Sequence, residues 1–320
     1  MKHTIHLLLA LCLFFSCTTN KKLKDEDAVY YTVNKDSSDY KNGDIVSSEA
    51  YDPWDCREKS VNIDSLKKYL EKEKQMREDL LAELKNTTPD RADSLYTADS
   101  YKFYKTADFQ QIDRIAMPTL MRSSGAHLDY PISPEDKIVI QLLKEHGLEP
   151  QYIGEGYTEL NTNPYYYYEI FKPYITEETS EYISIRAGQD DLISMDAGLV
   201  IPLETLYDRC VEWEVFLNKY PATNHKKSII QQYGFYMGLI MFCSYDNTLA
   251  FDRKTHKLND WVLEDIQKIA LKNTDTQTNH ILKEYIKELE NNNYLYSKDI
   301  ENRIMSLSIL KEFDPQGVYY

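Results

Sequence analysis

The sequence predicts a mostly all-α protein: an irregular α-solenoid of helical hairpins behind long N-terminal helices, with at most a short β-hairpin near 150–160. Three observations carry this. From residue 64 onward, apolar residues recur at threes and fours with charged residues between them, the period of an amphipathic helix. The same punctuation returns along the chain: Asn, Ser or Thr before a helix, Pro in its first turn, Gly or Pro after it. One helix–turn–helix unit also occurs twice. At an offset of about 52 residues, Ile229 falls on Ile281, Ile230 on Leu282, Tyr233 on Tyr285 and Met237 on Leu289. The preceding helices align one residue further on, Trp213 with Ile266, Phe216 with Ile269 and Leu217 with Ala270.

Taken in order, the first helix opens at Asp64 as N-cap and carries Leu66, Leu70, Leu80 and Leu84 to about Asn86. A second pattern runs from Pro89 to about Ala116, as one helix or two, and Pro118 should end it. Ser133-Pro134-Glu135-Asp136 combines a hydroxyl cap, Pro at the first helical position and acids in the first turn. Gly147 closes that helix, and His146 complements its C-terminus. "PQYIGEGYTELN" alternates like a strand around Gly154 and Gly156, and it is the one place where extended chain is expected. Asn163-Pro164 starts YYYYEIFK, Thr176 caps the next helix, and residues 188–200 connect to a long helix after Pro202. Pro221 turns the chain back through IIQQYGFYMGLIMF. Asn259, a turn at 273–278, and Ser297 set the last three helices.

The N-terminus has a different character. MKHTIHLLLALCLFFSC has one cation, Lys2, and then an apolar run from Leu7 to Phe15. That run is too short to span a hydrocarbon core of ~30 Å, which needs about 20 helical residues. It fits the apolar region of a secretory signal. Ser16-Cys17 at its end resembles the cleavage site of bacterial lipoproteins, whereas Cys12 follows the bulky Leu11. The resemblance implies export, removal of residues 1–16 and acylation of Cys17, with stable anchoring once two or three chains are attached. Residues 17–60 are polar and read as a tether. Lys24-Asp25-Glu26-Asp27 resembles the acidic tract that directs some lipoproteins to the outer face of the cell. No Asp stands near the anchor at Thr18-Thr19, which favours the outer membrane. The remaining chain divides into long amphipathic helices at 61–130 and a hairpin domain at 131–320.

Around Pro221 the phrase FLNKYPAT resembles the turn of tetratricopeptide-like hairpins, and the likeness covers about residues 202–292. Stacked hairpins of that kind bury their apolar faces and leave a curved surface that binds peptides or proteins. A related reading is glycan capture of the kind found in starch-binding lipoproteins built on helical repeats.

The net charge of −15 excludes a nucleic-acid binder, which needs a basic face. The acidity concentrates between Glu135 and Arg209, where 15 acidic residues face 5 basic ones, a surface suited to cationic partners. Among the 27 tyrosines, Tyr165, Tyr166, Tyr167 and Tyr168 are consecutive. At 3.6 residues per turn they cannot all face one core. They are either a stacking platform for glycans or partner side chains, or inter-helix packing with hydroxyls at the surface. Glu155, Asp190, Asp191 and Asp196 are the weak catalytic candidates, with Glu155 as general acid in an alternative reading as an envelope enzyme acting on peptidoglycan or another glycan. No metal or cofactor motif is present. The expected function is therefore a lipid-anchored envelope binding or scaffold protein for a protein, peptide or glycan partner. Finally, a hairpin turning at 220–223 puts Cys210 level with residue 233, about 15 Å along the axis from Cys243. These thiols should not be bonded to each other.

Overall fold

The computed structural model describes residues 59–98, 102, 106–123, 132–272 and 275–314. The signal segment, Cys17, the tether to residue 58 and Cys56 lie outside the described residues. Those that are described form mostly α-helices with two short antiparallel hairpins.

Helix α1 (Ile63–Leu84) is capped by Asn62, whose Oδ1 accepts from the Ser65 amide at 2.9 Å. The cap thus sits two residues before the expected Asp64. After α2 (Pro89–Ala98) comes α3 (Ala107–Ser123), so the second pattern is two helices. Pro118 lies inside α3 rather than ending it. What holds the turn beyond it is Asp136, buried at the start of α4 (Pro134–Glu145). Its carboxylate accepts from Thr119 at 2.6 Å and from the Arg122 guanidinium at 2.6–3.1 Å. Burial alone would raise the Asp136 pKa. Arg122, with the Thr119 and Ser133 hydroxyls, holds it below the usual carboxylate range. Such charge-assisted bonds fix residues 119–122 against α4 despite the lost proline N–H.

Strands β1 (Leu148–Gly154) and β2 (Tyr157–Thr162) pair as the sequence predicts, with an irregularity between Tyr152 and Gly154. Two helices follow, α5 (Pro164–Phe171) and α6 (Glu177–Gly188), capped by Asn163 and Thr176 as expected. The connection after α6 holds a second hairpin, β3 (Ser194–Met195) and β4 (Gly198–Leu199). The sequence gives no alternation there. This hairpin is made by its turn, in which Asp196 and Ala197 both take positive φ, 49° and 56°. Then come α7 (Leu203–Lys219), α8 (Lys226–Phe242), α9 (Asp260–Ala270), α10 (Gln277–Asn291), α11 (Lys298–Met305) and a 3-10 turn at Ser308–Glu312.

Two apolar clusters result. Leu66 and Leu70 of α1 join Ile112 and Ala116 of α3, Val139 and Leu143 of α4, and Leu148 and Leu160 of the hairpin. Leu80 and Leu84, at the other end of α1, enter the larger cluster, built by α2 and α5–α11. The boundary expected near residue 130 falls inside the smaller cluster, because α1, α3 and α4 complete one another's apolar faces. Among the described residues no helix is long and apolar enough to cross a membrane.

In the larger cluster α7 packs along α8, α9 pairs with α10, and both of these reach back to α7. The residues aligned between the two hairpins are buried alike: Ile229, Tyr233 and Met237 are 0 % exposed, and Ile281, Tyr285 and Leu289 are 1, 0 and 1 %. The Cys210 Sγ lies 3.8 Å from the Tyr233 carbonyl, at the height the hairpin arithmetic assigns it. Helix α8 runs unbroken to Phe242, and Cys210 and Cys243 are both buried and not joined by a disulfide. Gly234, within α8, leaves room for the Phe313 ring, which a Cβ would overlap.

His225, 7 % exposed at the start of α8, stacks on Tyr182 with centroids 3.9 Å apart, and its Nε2 meets the Thr179 hydroxyl at 3.2 Å. Burial lowers its pKa below the usual histidine value, against the opposing pull of Glu178 and Asp93. The unfolded chain therefore binds the proton more tightly than the folded one. His225 leaves stability intact above its unfolded pKa of about 6.5 and erodes it as pH falls below that value. Urea midpoints at pH 7.5 and 5.5 should show the wild type losing more than His225→Phe. Asp190, described below, titrates in the opposite sense, so the difference between the two proteins isolates His225. Equal losses would show that the ring does not titrate on unfolding.

Candidate functional site

The apolar stripe of α1 reads Leu66, Leu70, Glu73, Arg77, Leu80, Leu84, in alternating steps of four and three. Two charged residues thus occupy core positions, between the two apolar clusters. Glu73 is 2 % exposed. One of its oxygens accepts from the Tyr166 hydroxyl at 2.9 Å, and the other pairs with His146 Nδ1. Arg77 Nη1 donates to the same Tyr166 hydroxyl. Burial and the Glu73 charge push the Tyr166 pKa well above the ordinary phenol value, with Arg77 opposing. Tyr166 therefore stays protonated and remains a donor to Glu73. His146 stands at the C-cap of α4, but its ring serves Glu73 and not the helix end, because α1 passes within reach.

This polar knot anchors one wall of a cleft of about 570 Å³ where α1, α4 and α5 meet. Tyr165, Tyr166 and Tyr174 supply rings, Leu81 and Ile170 apolar surface, and Asn163 a polar amide. Arg77 and Lys144 also line it. The tyrosine run is split by the helical turn as its spacing requires. Tyr165 is 48 % exposed, Tyr166 reaches Glu73, and Tyr167 and Tyr168 pack against the larger cluster. The mixture of ring faces and polar tips in a concave site is the composition of a small-ligand cleft.

Gly147 sets the position of Tyr166. It closes α4 with φ 68°, and a Cβ there would overlap the Tyr166 ring. Gly147→Ala should cost about 2–4 kcal/mol, from left-handed strain and overpacking. Gly238→Ala, in α8 with nothing within 4 Å of its added methyl, should instead stabilise by about 0.5–1 kcal/mol. Urea unfolding of the two variants checks both signs; equal effects would mean that Tyr166 is not held by the glycine.

The candidate carboxylates fall at two places, the tips of the two hairpins and the chain just after α6. Glu155 is exposed in the β1–β2 turn at φ 50° and lines neither this cleft nor the second one described below. Asp196 turns the second hairpin, its carboxylate against Gly154, so the tips of the two hairpins touch. Asp191 pairs with Arg209 at 2.8 Å. Asp190 reaches solvent but is crowded by surrounding protein, which raises its pKa to about 6; Glu149 and Asp191 add to the rise, and Arg186 and Arg209 oppose it. Among the described residues no three His, Cys, Asp or Glu side chains are placed to hold a metal ion.

No known family model, curated protein or solved structure matches this chain. The functional reading therefore stands on the geometry and the sequence. Glu73, Arg77 and Lys144 are the site residues that sequence reasoning passed over, and His146 is one that it assigned to the helix end instead of to Glu73. For the first two the signal was present: a charged residue at a core position of an otherwise apolar stripe is a buried polar contact waiting for partners. Lys144 offered none.

Proposed function

We propose that this chain is a lipid-anchored binding or scaffold protein of the bacterial cell envelope, tethered to the outer membrane through Cys17 and presenting a helical surface to a protein, peptide or glycan partner. The observation that carries the binding half is the Tyr165–Tyr166–Tyr174 cleft. A buried carboxylate, a histidine and an arginine are committed to holding one tyrosine in its wall, an arrangement that preorganises a surface rather than merely filling a core. The anchor half rests on the Ser16-Cys17 signal, which lies outside the described residues.

A photo-reactive amino acid in place of Tyr165, in cells expressing the full chain, tests the cleft. It should give a discrete adduct that disappears in a Tyr174→Ala background, while the same label at exposed Trp261 gives none. Adducts at both positions, or at neither, would remove the cleft as the binding surface. In the same cells the mature protein should begin at an acylated Cys17, and Cys17→Ser should release it from the membrane fraction. Retention of the serine variant would sink the anchor.

A further inference from the structure

A second cleft, of about 550 Å³, lies between the end of α6 and the first turns of α7. Gln189, Asp191, Thr205, Asp208, Arg209 and Glu212 line it. Two of these side chains are more than nine-tenths buried, Gln189 at 8 % exposed and Arg209 at 5 %. Each uses part of its hydrogen-bonding capacity within the protein. Gln189 Nε2 donates to Glu212 at 2.7 Å, and Arg209 Nη2 donates to Asp191 at 2.8 Å. Gln189 Oε1 and Arg209 Nη1 are then left buried without a partner. The cleft therefore combines one unmet acceptor with one unmet donor, although unpaired buried groups of this kind are costly and rare.

The electrostatic setting points to the charge of what would meet them. Asp191, Asp208 and Glu212 line the cleft, and Asp190 and Glu149 stand beside it. The local cations are already engaged: Arg209 by Asp191 and by the Tyr236 ring 5.7 Å away, and Lys272 by Asp208 and Glu204. Burial chiefly keeps Asp190 from ionising; Arg186 and Arg209 oppose this, while the negative charges of Glu149 and Asp191 add to it.

We propose that this cleft binds a lysine or arginine residue of a partner polypeptide, with the cationic head among Asp191, Asp208 and Glu212, a ligand N–H donating to Gln189 Oε1 and a backbone carbonyl accepting from Arg209 Nη1. A bare metal ion fits less well. It would satisfy the acceptor and leave the arginine donor facing a cation, and the described carboxylates make no three-ligand group. A peptide offers the cation, the donor and the acceptor within one residue. The site lies in the acidic stretch that ends at Arg209 and is separate from the tyrosine cleft.

The test uses the full mature chain and Ac-Gly-Gly-Lys-Gly-Gly-NH2, followed by NMR. The peptide should shift the Gln189 side-chain amide and the Val211 backbone amide, and at saturation the Asp190 pKa should fall from about 6, because a nearby cation favours the carboxylate. Replacing lysine by norleucine should abolish the shifts. Gln189→Leu should weaken binding about tenfold, the worth of one buried hydrogen bond, with its urea midpoint reported alongside to confirm a folded protein. Binding should weaken as pH falls through 6, as Asp190 takes up its proton against Arg186, Arg209, Glu149 and Asp191. Equal shifts from the norleucine peptide would overturn the proposal. So would a stronger response to calcium or spermidine than to the peptide, or no response at about 10 mM, a concentration that detects even millimolar affinity.

Discussion

Replacing Trp213 by alanine should lower stability by about 3–5 kcal/mol, the range for deleting a large buried aromatic. Trp213 is fully buried on α7. Its ring lies 5.7 Å from Tyr182 of α6 and 6.1 Å from Phe216, centroid to centroid. It therefore joins the hairpin α7–α8 to the helix before it, and its loss opens a cavity that three elements cannot close at once. The indole Nε1 finds no acceptor in the structure. Trp213→Phe gives up an unpaired donor along with some volume, and should cost less than about 1.5 kcal/mol. Urea midpoints of the two variants measure the contrast. An alanine variant as stable as the wild type would place Trp213 outside the core.

Glu214→Ala should cost about 2–4 kcal/mol through an unrelated mechanism. Glu214, 5 % exposed on α7, accepts from the Gln277 and Thr278 amides at 2.7 and 2.9 Å and from the Thr278 hydroxyl at 2.9 Å. Those amides are among the orphan donors at the start of α10, where the helix dipole also favours a negative charge. A carboxylate of one hairpin thus caps the first turn of the next. The Thr278 hydroxyl also meets the Tyr233 hydroxyl at 3.0 Å, extending the link to α8. Truncation leaves the Thr278 amide buried without its acceptor, at ~1–3 kcal/mol for that group alone. Glu214→Gln keeps one acceptor oxygen and should lose less. Amide exchange at Thr278 should accelerate in the alanine variant. Unchanged exchange and midpoint would mean that the cap is dispensable.

The elements were legible because they are local. Ser133-Pro134, Asn163-Pro164, Thr176 and Ser297 each cap the helix their spacing announces. Pro118 was misread for the same reason. A proline disfavours helix locally, and only the distant Asp136 reverses the outcome. The β3–β4 hairpin was invisible because its strands have two residues each, too few for any alternation to register.

The candidate site was half legible. Tyr165–Tyr168 stood out by repetition, and 3.6 residues per turn required at least one to face solvent, as Tyr165 does. Which tyrosine would be recruited by a buried carboxylate depended on α1 passing α4 and α5, 73 residues from His146 and 93 from Tyr166 along the chain. Apart from the end of α3, helix starts, stops and apolar faces were set largely by the sequence alone, because the hydrogen bonds and periodicity behind them close within a few residues. The Glu73 knot, the Glu214 cap and the unmatched Gln189–Arg209 pair were decided only by the tertiary structure. A buried polar group takes whichever partner the packing brings within about 3 Å, and one sequence carries no record of that distance.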